Sequence, residues 1–144
     1  MGGSGSSRAV FSRLWEAYGH GRLDDALHLI DPDCTLRVSV TDRIYRGHAL
    51  VVPREHATDL LGIGEEDLSA CAAAAKRLAA RAKDALGADG VNLLNSCGSA
   101  AWQTVFHFHV HVIPRYRDDP LRLPWIPGPG DADEIAAAGA ALRA

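Results

Sequence analysis

Three histidines alternate with apolar residues in segment 103–114, QTVFHFHVHVIP. This pattern predicts a long strand in which His107, His109 and His111 share one face. Phe106, Phe108, Val110 and Val112 take the opposite face and belong to the core. Three imidazoles in a row first suggest a metal. Residues i and i+4 of a strand, however, lie roughly 13 Å apart. One ion with bonds of about 2 Å cannot collect all three, and no carboxylate or cysteine is obviously supplied, so no metal is expected. Nucleophilic catalysis fits the spacing better. A neutral imidazole is an available nucleophile near neutral pH. Its neighbours on either side can hydrogen-bond a phosphate and a leaving group. The bland alternative is a row of surface histidines. The polar, small-residue loop just before them, SCGSAAW at 96–102, weighs against it.

Such a strand needs elements to hold it. Residues 65–86, EEDLSACAAAAKRLAARAKDAL, form the clearest one. Acidic residues crowd the first turn and basic ones come later, which complements a helix dipole, and alanine is the best helix former. Leu68, Ala72, Ala75, Ala79, Ala82 and Leu86 make a thin inward stripe, and Gly87 is a natural stop. VNLLN (91–95) predicts a short strand. HALVVP (48–53) predicts an extended segment bounded by Pro53, and RIYRG (43–47) another. Pro114 is expected to end the histidine strand. A final helix is expected over about 131–142. At the front, 8–18 and the stretch around Leu23, Ala26, Leu27 and Ile30 predict two amphipathic helices, the second stopped by Asp31-Pro32-Asp33. TLRVSV (35–40) alternates like a half-buried strand. The expected class is α+β: an antiparallel sheet with a long central helix and two N-terminal helices packed on it.

The bulk numbers agree with an ordinary globular chain. Its 144 residues suit a single core. The 47% hydrophobic and 23% charged residues exclude disorder. A net charge of -3 excludes a global basic field, so no nucleic-acid polymer is expected as partner. No apolar run approaches the roughly 20 residues that span a bilayer, so no membrane is expected. The opening MGGSGSS (1–7) lacks the apolar centre of a signal peptide and is expected to be a flexible tag. Cys34, Cys71 and Cys97 are odd in number and widely spaced. That argues for reduced thiols and a cytoplasmic location rather than a zinc site or a disulfide framework.

The segment HFHVHVI resembles the His-x-His-x-His-x-x signature of the histidine triad (HIT) family, with apolar residues at the x positions. GHALVVPREHATDLL (47–61) is similar to that family's Gly-His-x-Leu-Val-x-Pro-x-x-His segment. The long helix, NLLN, the loop and VFHFHVHVIPRY follow in the family's order, so the resemblance covers about residues 46–126. It implies a nucleotide hydrolase or transferase, usually dimeric, acting on phosphoramidates or dinucleoside polyphosphates, with a purine nucleotide as partner and no cofactor. By the same resemblance His109 is the nucleophile on the α-phosphorus, forming a nucleotidyl-histidine that water resolves. His111 binds the phosphate or assists the leaving group. His107 and His48 complete the imidazole network. Gln103 and Thr104 contact the bridging atom and the phosphoryl oxygens, and Asn95 or Ser96 lies near the ribose or phosphate. Trp102 stands where the family often has glycine, as a cap over the pocket or as a packing residue. His56 is expected at the surface or behind the catalytic groups. Pro124-Trp125 is expected to pack.

The front of the chain lacks the family's usual hairpin. Residues 9–48 instead resemble the opening of the nuclear-transport-factor-2-like superfamily, in its polyketide-cyclase-like branch: helix, Gly-rich break, helix, Asp-Pro-Asp stop, strand, then Tyr-Arg-Gly-His. Both patterns share Arg46-Gly47-His48. The expectation is therefore a recombined or engineered chimera, with a tag (1–7) and one domain (8–144). That domain comprises a foreign helix–helix–strand front (8–47) and a histidine-triad catalytic half (48–144). Three functions follow: a nucleotide phosphoramidase or hydrolase, a chimeric fold without native activity, or a small-molecule binder or isomerase. The last would need Asp33 or Asp42 as an acid or base, and both are better explained as a helix stop and a turn.

Overall fold

Alanine and three acidic residues at its start dictate the longest element. In the computed structural model, which describes residues 47–122 and 126–143, helix α1 spans Glu65–Leu86. Glu65, Glu66 and Asp67 sit on the positive end of its dipole. Gly87 closes it in the left-handed conformation, φ 66°, and Gly87 N–H returns to the Ala82 carbonyl. The helix is preceded by strand β1 (Ala49–Val51) and followed by β2 (Gly90–Leu94). A 3-10 turn at Ser99–Ala101 leads towards β3 (Val110–Arg115), and α2 (Ala132–Ala141) comes last. Asp131 caps α2 by accepting from the N–H groups of Asp133 and Glu134. Among the described residues no helix is long and apolar enough to cross a membrane.

The sheet order is β1-β3-β2, with both pairs antiparallel. Ala49 faces Val112 and Val51 faces Val110 across β1 and β3. One sheet face meets α1 in a core of Ala49, Val51, Cys71, Ala74, Ala75, Phe108 and Val112. The small side chains of α1 let its backbone approach the sheet closely. The helix stripe differs from the expected one. Cys71, Ala74, Ala75 and Ala82 are buried, whereas Ala72 is exposed. The true stripe is set by Cys71 and repeats three, four and eleven residues on. That rotates Ala72 out of it.

The histidine strand is shorter than expected, since β3 begins only at Val110. Residues before it are drawn away from the sheet towards the loop after β1, where Phe108 N–H donates to the Ala57 carbonyl at 2.7 Å. The alternation of faces is lost with it. Phe106 is 51% exposed rather than core, while Phe108 is 1% exposed. Nor does Pro114 end the strand. It pairs with Val91, and β3 continues to Arg115. Arg115 turns its carbonyl to β2, where it accepts from Asp89 N–H. Pro114 therefore turns its missing N–H to the other side, where pairing with β1 has stopped at Val112.

Gly47 passes over that point with φ +81°. A Cβ there would meet Leu86 Cδ1 and lie 3.2 Å from Pro114 Cγ, so both backbone angle and space demand glycine. Beyond β3 a tight knot ties the chain down. Arg115 forks onto both Asp119 carboxylate oxygens at 2.7 Å and reaches Asn92 Oδ1. Asp119 also accepts from Tyr116 and Leu121 N–H. The Arg115 guanidinium beside it holds the Asp119 carboxyl well below the usual carboxylate range. The two front helices, the strand at 35–40, the seam residue Arg46 and Pro124-Trp125 lie outside the described residues.

The two phenylalanines yield a direct contrast. Phe108→Ala should cost about 3–5 kcal/mol in urea unfolding, through lost burial and a cavity. Phe106→Ala should cost about 1 kcal/mol or less. Equal losses would contradict the assignment of faces.

Candidate functional site

Two antiparallel segments bring the imidazoles together. His48 enters β1, and Pro53 and His56 follow it, while residues 107–111 enter β3. Leu50 faces His111 across the ladder, so His48 and His111 are diagonal neighbours on one face. Their rings bond, with His48 Nε2 2.9 Å from His111 Nδ1. The His109 ring lies 5.0 Å from that of His111, edge to face. The structure thus brings His48, His56, His107, His109 and His111 together.

A carbonyl oxygen can only accept, and this assigns most of the ring protons. His109 Nδ1 lies 2.8 Å from the His107 carbonyl oxygen, so Nδ1 carries the proton and Nε2 the lone pair. His107 Nε2 lies 3.2 Å from the Pro53 carbonyl oxygen and donates to it. The other nitrogen of a neutral His107 then accepts. It lies 2.8 Å from His56 Nδ1, which donates. His48 Nδ1 is buried without a hydrogen-bond partner among the described residues.

Burial governs the charge of these rings. It lowers the His48 pKa. In His107 burial lowers it most, the Pro53 bond opposes this, and His56 and His109 add to the lowering. In His111, burial first and then the neighbouring His109 and His48 push the value down to about 3. These rings therefore rest neutral near pH 7 and act through lone pairs and N–H groups rather than fixed positive charge.

The loop residues hold the network. Asn95 Nδ2 donates to the His109 carbonyl at 2.8 Å, fixing the backbone of the central histidine. Gln103 is buried and committed to backbone: it donates to the Thr58 and Val105 carbonyls, and its Oε1 accepts from Gly98 N–H at 2.7 Å. Its amide thus clasps the loop before β3 to the loop after β1. Ser96 is half-buried beside Asn95, and Thr104 is exposed beside Gln103. Trp102 ends the 3-10 turn at φ 65°, a left-handed backbone, and its side chain is 62% exposed. His56, expected at the surface or behind the catalytic groups, is exposed and bonds the buried ring of His107. The available signal was its spacing from Pro53: a donor three residues from an acceptor carbonyl can grip both nitrogens of one ring.

A family model described as HIT domain matches residues 23–118. A zinc-bound histidine triad family protein of Mycobacterium smegmatis is 34% identical, with a TM-score of 0.64 over 93% of this chain and 94% of that one. A hypothetical histidine triad nucleotide-binding protein of Sulfolobus tokodaii is 30% identical, with a TM-score of 0.56 over 74% of this chain and 73% of that one. An adenylylsulfatase of Arabidopsis thaliana is 33% identical over 95 residues, 66% of this chain and 48% of that protein. The chain spans about half the length of the curated relatives it matches.

Two expectations follow from the site. The lowered histidines bind protons more weakly in the folded chain than in the unfolded one. Their contribution is therefore complete above about pH 6.5 and is lost as pH falls towards the His111 value of about 3. The slope approaches about 1.4 kcal/mol per pH unit for each such ring. Urea midpoints should fall between pH 7 and pH 4.5, less steeply in His111→Asn; a flat profile would contradict the neutral rings. Trp102→Gly should raise stability by up to about 1 kcal/mol, because relief of the left-handed backbone outweighs the chain entropy that glycine adds. A lowered melting temperature would show that the indole packs where its exposure denies it.

Proposed function

This chain belongs to the HIT domain family, and on that premise we propose that it is a nucleotidyl hydrolase or transferase whose nucleophile is His109. One observation carries the reading. His109 Nδ1 is committed to the His107 carbonyl, so its Nε2 is left with the lone pair, and the ring stands 5.0 Å from that of His111. A nucleophile needs that tautomer and a neighbour that can manage the leaving group's proton.

In the reaction, Nε2 of His109 attacks the α-phosphorus and the Nε2–P bond forms as the bond to the leaving group breaks. The leaving atom takes a proton, and His111 is the group placed to pass it on. At rest His111 is neutral. The anionic phosphate raises its proton affinity once substrate is bound. His48, bonded to its Nδ1, holds that ring in place. Water then attacks phosphorus and gives its proton back to His111, the Nε2–P bond breaks, and the nucleoside monophosphate leaves with His109 restored. Asn95 and Gln103 hold the backbone of this machinery, and backbone N–H groups would face the developing charge.

The names of the Sulfolobus and Arabidopsis relatives support a nucleotide and an adenylyl group. A phosphoramidate or a dinucleoside polyphosphate as substrate, a purine base, a homodimer and a cytoplasmic setting extend the proposal on the family resemblance. The zinc in the name of the mycobacterial relative is said of that protein. The family match starts at residue 23 and runs through Arg46-Gly47-His48. That favours one continuous domain over a splice at this point, although the likeness of residues 9–48 to a second superfamily keeps an inactive recombined fold as the competing proposal.

Incubation with an adenosine phosphoramidate should release AMP and, on acid quenching, leave a nucleotidyl adduct on His109 detectable by mass spectrometry. His109→Ala should lower turnover by about a thousandfold or more and abolish the adduct. Equal turnover by the two proteins would sink the proposal.

A further inference from the structure

The His107 ring is fully buried, and its two nitrogens are gripped by one short stretch of chain. The Pro53 carbonyl takes the Nε2 proton at 3.2 Å. His56, three residues later, gives its Nδ1 proton to His107 Nδ1 at 2.8 Å. A third contact comes from the next residue of the same stretch. The Ala57 carbonyl accepts Phe108 N–H at 2.7 Å. In a trans peptide that N–H and the His107 carbonyl point in opposite directions. Holding one aims the other, and the His107 carbonyl is the acceptor of His109 Nδ1 at 2.8 Å.

Resting on the reading of His109 as nucleophile, we propose that His56 is a positioning residue: by donating to His107 it fixes the ring state of that histidine and, through the clamped 107–108 peptide, the orientation and tautomer of His109. Pro53 and Ala57 contribute only carbonyls, which a substitution leaves in place. The His56 side chain is the part of the clamp that a substitution can remove. Its other face is exposed, so changing it leaves the core intact.

Asparagine and aspartate test the polarity of the bond, because they match in shape and differ in what they offer. Asn can still donate from the position of His Nδ1, whereas Asp can only accept. His56→Leu removes the donor without adding charge. His56→Asn should melt close to wild type, and the other two variants should melt lower but stay folded, so turnover is compared below all the melting temperatures. Nitrogen-15 NMR of the imidazoles should show His107 protonated on Nε2 in wild type and His56→Asn. In His56→Asp it should move to Nδ1 or become doubly protonated. Turnover of an adenosine phosphoramidate should stay within about threefold in His56→Asn. In His56→Asp and His56→Leu kcat should fall by about tenfold or more, with KM little changed. Identical ring signatures in the Asn and Asp variants, or an unchanged kcat in His56→Leu, would overturn the proposal. If wild type shows neither turnover nor adduct, the hydrolase reading fails, and the NMR comparison still decides whether His56 sets the ring state of His107.

Discussion

A buried neutral imidazole is most stable when both nitrogens are served at once, one as donor and one as acceptor, because water cannot reach either. At His107 this demand is met from a single strand-following loop, and the consequences spread outward. The loop has to lie against the approach to β3, which pulls residues 105–109 off the sheet. The pulled segment turns its carbonyl at residue 107 to the neighbouring ring. That ring, His109, is thereby left with its lone pair on Nε2. Phe108, between the two histidines, anchors the same segment from the opposite side by filling the core beneath α1. Packing and chemistry are thus enforced by alternate residues of one strand entry.

The electrostatics of the site follow from the same enclosure. Anion-binding sites often rely on arginine or lysine, whose charge is fixed. Here the imidazoles are discharged by burial and by one another. Under the proposed nucleotidyl transfer, a bound phosphate would draw protons onto the cluster, and the empty site would not repel itself.

Much of this was legible in the sequence where local rules suffice. The bounds of α1 follow from an acidic start, an alanine body and a glycine stop, and the structure has the same limits. The strand at 90–94 and the last helix also lie within a residue of expectation. Non-local contacts defeated the reading elsewhere. Strict alternation predicted Phe106 in the core, but the Ala57 carbonyl draws the chain aside before alternation begins. Pro114 looked like a strand end, but whether a missing N–H matters depends on which side still has a neighbour. The imidazole set was readable from types and spacing, but not the partner of His56, which stands 51 residues away. Gln103 stood out in the sequence as a substrate contact. In the structure both its amide N–H groups and its oxygen also bond backbone, a demand visible only once two loops meet.

The turn before Gln103 carries one further consequence. Its last residue, Trp102, has φ 65° and ψ 23°. Those angles are close to the mirror image of a right-handed helical residue. The position therefore asks for the opposite hand from the rest of the chain. A mirror-image amino acid installed there by chemical synthesis would sit in its own preferred well, and the exposed indole at Trp102 is the substituent on which chirality, rather than size, bears hardest.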